Sequence, residues 1–192
     1  MPLLYYIIAY KMAARKVIRS YSQNCLTDSR DRLFNEFLNR CHGKKCLQIG
    51  VKENFSKKFG PNWISVDKYD RRDFIDYNYD INNLEFEKDC FDAIVCLSIL
   101  EHIPCPQKAI NELHRVLKPG GEIWIQSPFL FPYHEAPKDY WRITPDGLRI
   151  WMENFNEISC GCDFWDRTSL VAATFYHGKK KLSHHQPGYF TN

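Results

Sequence analysis

The sequence predicts an α/β fold, a doubly wound and mostly parallel sheet with an antiparallel hairpin at one edge. Three observations predict it. From Lys45 onward, short apolar runs alternate with segments of helical period, the pattern of strands joined by crossover helices. One helical segment stops at Lys118-Pro119-Gly120-Gly121 and gives way at once to an apolar run, a helix turning tightly into a strand. Near the carboxyl end, two aromatic and β-branched runs are separated by Asp166-Arg167 and suit an antiparallel pair.

The elements follow in order. The runs at Cys46–Ile49, Trp63–Val66, Phe91–Leu97 and 122–126 read as strands. Residues 106–117 place Ala109, Ile110, Leu113, Val116 and Leu117 at helical spacing. Thr144 followed by Pro145 caps and opens a helix over 144–155. The hairpin strands are expected at 157–164 and 169–176, and residues 178–192 as a loose tail without periodicity. The organisation is then an amino-terminal helical segment over 1–44, one domain over 45–177 and the tail.

Composition excludes several classes. The chain has 192 residues, enough for one full domain, and 44% of them are hydrophobic, enough to offset the ordering entropy. Lys and Arg number 26 against 23 Asp and Glu, a net charge of +3, too balanced for a nucleic-acid binder held by phosphate contacts. Cys46 and Cys96 lie in buried-type runs, which points to reduced thiols in a cytoplasmic protein. Cys160 with Cys162, Cys41-His42 with Cys46, and His184-His185 lack a second ligand pair at regular spacing, so no metal site is predicted. The apolar start at residues 1–9 falls short of the roughly 20 residues that span a bilayer. Residues 3–21 combine Lys11, Arg15, Lys16 and Arg19 with an apolar side. That suits a helix packed on the domain or on a second copy in a homodimer, with peripheral membrane contact as the alternative.

In a doubly wound sheet the ligand lies beyond the carboxyl ends of the strands. The first strand there ends at Gly50 and the second at Asp67, an acid able to accept from both hydroxyls of a ribose. Further on stand Asp80-Ile81, then Phe91 to Cys96 leading to Leu100-Glu101-His102-Ile103, then Leu113 to Gly121. This ordered set, over roughly residues 45–155, resembles the class I S-adenosylmethionine-dependent methyltransferases of the small-molecule type, which implies a Rossmann-like sheet of seven strands. The segment Ser127 to Thr144 resembles a branch of that family associated with glycan or cell-surface biosynthesis.

The resemblance implies S-adenosylmethionine as cofactor. Carried over, Gln48, Gly50 and Val51 cradle its methionine part, Asp67 holds the ribose with Lys68 beside it in the cofactor site, and Asp80 with Ile81 addresses adenine. Leu97, Ser98 and His102 line it near the sulfonium. The family's first loop reads acid-x-Gly-x-Gly-x-Gly, whereas here Gln48 replaces the acid and Lys52 and Asn54 the later glycines. Gln48 still hydrogen-bonds but brings no charge, and Asn54 tolerates a left-handed backbone.

Methyl transfer is an in-line displacement that gains chiefly from alignment and a base. His134 supplies an imidazole, which ordinarily titrates near neutrality, with Asp139 to orient it, and these two are the expected catalytic residues. Glu135, Tyr133, Tyr140, Trp141 and Arg142 are expected to bind a small or glycan-linked acceptor, the aromatics as walls and Arg142 on a phosphate or carboxylate. In the competing structural reading, Asp139 and Arg142 pair with each other. Two other functions compete: a catalytically silent methyltransferase-like binding module, favoured by the altered loop, and a nicotinamide oxidoreductase, disfavoured because Gly-x-Gly-x-x-Gly is absent.

Overall fold

The computed structural model describes residues 30–50, 52–135, 137–164 and 171–182; the expected helix at 3–21, Val51 and most of the tail lie outside them. Along the chain come α1 (Arg30–Arg40), β1 (Cys46–Ile49), α2 (Phe55–Phe59), β2 (Trp63–Val66), β3 (Phe91–Leu97) and a one-turn 3-10 helix (Leu100–His102). After it follow α3 (Pro106–Val116), β4 (Leu117–Leu130), α4 (Pro145–Trp151), β5 (Phe155–Phe164) and β6 (Ala172–Lys180). The sheet has the order β2-β1-β3-β4-β6-β5, with β2, β1, β3 and β4 parallel and β6 antiparallel to both of its neighbours. β1, β2 and β3 have the bounds that their apolar runs predict.

Both faces of the sheet are covered, which is why its central strands are apolar throughout. Along β3, Ile94 and Cys96 join a core with Ile110 and Leu113 of α3, while Ala93 and Val95 join one with Phe37 of α1 and Phe55 of α2. β4 divides in the same way, Ile123 and Ile125 to one side and Trp124 to the other. Each fully buried Leu or Ile in these layers contributes roughly 1.5–3 kcal/mol. Phe37 is fully buried, its ring 6.0 Å from Trp124 and 5.3 Å from His177. α1 therefore packs against the sheet as part of the core. No helix among the described residues is long and apolar enough to cross a membrane. The seven described cysteines carry no disulfide.

Two expectations are corrected. Among the described residues the sheet has six strands rather than seven, the segment after β2 meeting it at a single bridge, Val66 with Tyr77. The Asp76 carboxylate accepts from the Ser65 amide (2.7 Å) and hydroxyl (2.8 Å), and Asn78 Nδ2 donates to the carbonyls of Asp67 and Asp70 (both 2.7 Å). Side chains thus take up edge groups that a further strand would use. Residues 178–180, expected in the loose tail, complete β6. Lys180 is buried, and its Nζ donates to Asp89 Oδ1 (2.6 Å) and to the carbonyls of His114 (2.8 Å) and Leu117 (2.7 Å). All three ammonium donors are satisfied, as a buried charge requires.

Where α1 meets the sheet, the hydrogen bond from His177 Nε2 (2.9 Å) and the Arg40 guanidinium (3.1 Å) hold the Glu122 carboxyl down at about 2 despite its burial. The ordinary value is 4.5, so the stability it contributes is present above that pH and is lost as pH falls toward about 2. Glu122→Gln should therefore lower the urea midpoint most at about pH 6, by less at about pH 3, and leave it little changed near pH 2, flattening the acid limb of the stability profile.

Candidate active site

The carboxyl ends of β1, β2 and β3 lie side by side, and each ends in a residue of unusual constraint. Gly50 has φ +78°, and a Cβ on it would lie 2.4 Å from the Leu97 carbonyl oxygen and 2.5 Å from Ile99 Cγ1. Glycine is required on both counts. Ser98, after β3, has φ +53°, a strained state for a residue with a side chain, and its amide donates to the Gln126 carbonyl (2.8 Å).

Gln48 is fully buried and organises the loop that follows Gly50, its Nε2 donating to the Glu53 carbonyl (3.0 Å). Its Oε1 has no partner among the described residues. Asn54 departs from expectation. Its backbone is extended at φ −78°, and its Oδ1 accepts from the Lys57 amide (2.9 Å) as the cap of α2. Lys52 is exposed, and Glu53 pairs with Lys58 (2.8 Å).

At the end of β2, Asp67 Oδ1 accepts from the amides of Tyr69 (2.9 Å) and Asp70 (3.0 Å), which fixes the carboxylate in an Asx turn. Its Oδ2 has no hydrogen bond among the described residues. Lys68 and Asp80, both assigned above to the cofactor, are 2.8 Å apart and paired with each other. Asp80 Oδ1 also accepts from the Asn82 amide (2.8 Å), and against partial burial these bonds hold its carboxyl below the usual range. Ile81 is buried in the core on the α3 side of the sheet rather than open to a ligand. Leu97 is half-buried at the end of β3.

A second group of residues stands beyond β3 and β4. Glu101 is fully buried, Oε2 accepting from Ser127 Oγ (3.2 Å) and Oε1 without a partner among the described residues. Burial pushes its carboxyl up to about 7. His102 Nδ1 lies 2.5 Å from the Lys138 carbonyl oxygen, and its ring meets that of His134 edge to face at 5.1 Å. The His134 amide donates to Asp139 Oδ2 (2.8 Å), and its Nδ1 is 3.3 Å from the same oxygen.

Asp139 and Arg142 pair through both carboxylate oxygens, at 2.6 Å each. With its side chain 1% exposed, Asp139 is held by Arg142 well below the usual carboxylate range. Arg142 also donates to the carbonyls of Phe131 (3.0 Å), Pro132 (2.8 Å) and Trp141 (2.8 Å). Its donors are committed to the loop, so the expected contact with an acceptor anion gives way to a positioning role. Around His134 the loop presents Tyr133, Tyr140 and Trp141 at 69%, 48% and 39% exposure, with Tyr133 donating to Glu135 (2.8 Å). Sequence reasoning missed Glu101 as a site group. It stands beside His102 in the sequence, but its burial and its Ser127 partner arise only when β4 pairs with β3.

Residues 45–125 match a family model described as a methyltransferase domain. Over 50 residues the chain is 42% identical to the ubiquinone biosynthesis O-methyltransferase of Pseudomonas paraeruginosa, a stretch covering 26% of this chain and 19% of that protein. It is 32% identical over 84 residues to the tRNA U34 carboxymethyltransferase of Campylobacter curvus, covering 38% of this chain and 28% of that one. The chain thus spans about a fifth of the length of the curated relatives it matches first. The Burkholderia thailandensis 1,6-didemethyltoxoflavin-N1-methyltransferase, solved with 1,6-didemethyltoxoflavin and S-adenosylhomocysteine bound, has a TM-score of 0.64 at 15% identity, with 90% of each chain covered. The sheet in which this matched segment lies has the Rossmann-like fold of that solved methyltransferase.

Proposed function

We propose that this chain is an S-adenosylmethionine-dependent methyltransferase acting on an oxygen or nitrogen atom of a small or glycan-linked acceptor. The observation that carries the proposal is the convergence of Gly50, Asp67 and Ser98 at the ends of three adjacent parallel strands, within the segment that matches a methyltransferase domain. The residues present fit the cofactor. Asp67 keeps one carboxylate oxygen for ribose hydroxyls, and the unpartnered, buried Gln48 Oε1 is an acceptor for an ammonium group. Lys68 must release Asp80 before that carboxylate can meet an adenine amine.

When bound, S-adenosylmethionine supplies a sulfonium methyl group as the electrophile. The chain supplies alignment and a proton acceptor. His134 takes the proton that the acceptor loses, while Asp139 and Arg142 fix the ring's position. Tyr133, Tyr140 and Trp141 are walls for a sugar ring or another flat face, and Glu135 accepts from an acceptor hydroxyl. The relatives named for O-methylation in ubiquinone biosynthesis favour oxygen as the acceptor atom. The Lys68–Asp80 pair and the uncharged Gln48 favour a second reading, a methyltransferase-like binding module without catalysis.

Calorimetric titration with S-adenosylmethionine and S-adenosylhomocysteine separates the two. The methyltransferase reading expects saturable binding that Asp67→Ala weakens about ten- to a hundredfold, the loss of hydrogen bonds to a charged group. Absence of heat with either ligand would favour the silent module. Asp139→Asn should lower kcat while leaving the Kd for S-adenosylhomocysteine unchanged, since it acts at the acceptor end alone.

A further inference from the structure

We propose that Glu101, His102 and His134 bind a divalent transition-metal ion at the acceptor end of the site. One carboxylate oxygen and two imidazole nitrogens from these side chains lie within 4.8 Å of one another. The independent observation is Glu101 Oε1, a fully buried oxygen without a partner among the described residues, which faces the cluster 3.8 Å from His102 Nε2. An unpaired acceptor in a dry site costs stability, and a cation relieves that cost.

The surroundings of both histidines match those of metal ligands. The Lys138 carbonyl accepts from His102 Nδ1, which leaves the Nε2 lone pair toward Glu101. Asp139 Oδ2 stands 3.3 Å from His134 Nδ1, the carboxylate–histidine arrangement that fixes a ligating ring, and leaves Nε2 as its other nitrogen. The Arg142 guanidinium lies 3.4 Å from His134 Nδ1, but both Asp139 oxygens offset its charge. Two imidazoles with one carboxylate suit zinc, iron, cobalt or nickel, and three protein ligands leave a position open to a substrate. Bonds of roughly 2.0–2.2 Å place ligand atoms about 3–3.5 Å apart, so the widest pair has to close by up to about 1.5 Å. Glu101 is fixed by burial, whereas the side chains of His102 and His134 are 13% and 34% exposed and have room to turn.

What the ion does rests on the methyl-transfer reading; that it binds does not. An acceptor hydroxyl in the open position would lose its proton to solvent water more readily, as metal-bound oxygens do. The oxygen then forms its bond to the methyl carbon as the carbon–sulfur bond breaks, and sulfur keeps the electron pair. With the ion bound, His134 is a ligand, and the base it otherwise provides is not needed.

The test is calorimetric titration of the full chain, stripped of metal by chelation and dialysis, with zinc chloride, and with cobalt(II) followed by visible absorption. One equivalent should bind with a micromolar or tighter Kd, and the cobalt spectrum should lack the intense near-ultraviolet band of a thiolate ligand. Glu101→Gln, which keeps the residue's shape, should weaken binding at least tenfold, as should His102→Ala and His134→Ala, with folding checked by circular dichroism. The pairs Cys160→Ser with Cys162→Ser, and His184→Ala with His185→Ala, should change nothing. Absence of stoichiometric binding, or its loss in either control pair, would overturn the site. S-adenosylhomocysteine titrated separately keeps the two proposals apart: cofactor binding without zinc binding removes the ion alone, whereas zinc binding without cofactor binding supports the ion and removes methyl transfer.

Discussion

The close approach of β1 to the end of β3 governs the rest of the site. Gly50 meets the Leu97 carbonyl and Ile99 at distances that no side chain would permit, and its positive φ turns the chain away from the sheet at that point. Because β1 is central, with β2 on one side and β3 on the other, this turn sets where Asp67 and Ser98 stand relative to each other. Gln48, buried beneath the turn, holds the loop through the Glu53 carbonyl. The loop thus keeps an ordered base although two of its expected glycines are replaced. Asn54 has the further task of starting α2.

The acceptor end is built on a different principle, a buried charge pair. Asp139 and Arg142 neutralise each other and between them tie down the His134 amide and three carbonyls of the loop after β4. Removing one partner of such a pair strands the other charge, at a cost of about 3–5 kcal/mol, so the loop is held as a unit. That unit brings His134 to His102 and Glu101, residues 32 and 33 positions earlier in the chain. A rigid acceptor loop beside strand ends of fixed geometry is the arrangement that an in-line transfer requires.

What could be read from the sequence follows from what kind of interaction fixes each part. β1, β2 and β3 were legible to the residue because burial on both faces leaves an uninterrupted apolar run, and α3 and α4 because Pro106, Thr144 and Pro145 mark their starts. The seventh strand was not legible as missing. Its replacement depends on where the carboxylate of Asp76 points, and no local pattern records that. Lys180 falls in a stretch without periodicity, which reads as loose tail; only the fold brings Asp89 and two carbonyls to its ammonium. At the site, Gly50 and Asp67 were found from their places at strand ends. The commitments of Lys68 to Asp80 and of Arg142 to Asp139 are pairings between charged neighbours, which sequence offers only as one choice among several. Glu101 was hidden for a similar reason, since its partner Ser127 lies on another strand.

On the methyltransferase reading the ends of β1, β2 and β3 form one cofactor site. Amide chemical-shift mapping with S-adenosylhomocysteine on the isotope-labelled chain tests it most directly. The largest shifts should fall at Gly50, Asp67, Lys68, Leu97, Ser98 and His102. Shifts confined to the opposite end of the sheet, in the depression lined by Gly43, Lys45, Asn62 and Asp92, or no shifts at saturating ligand, would contradict it.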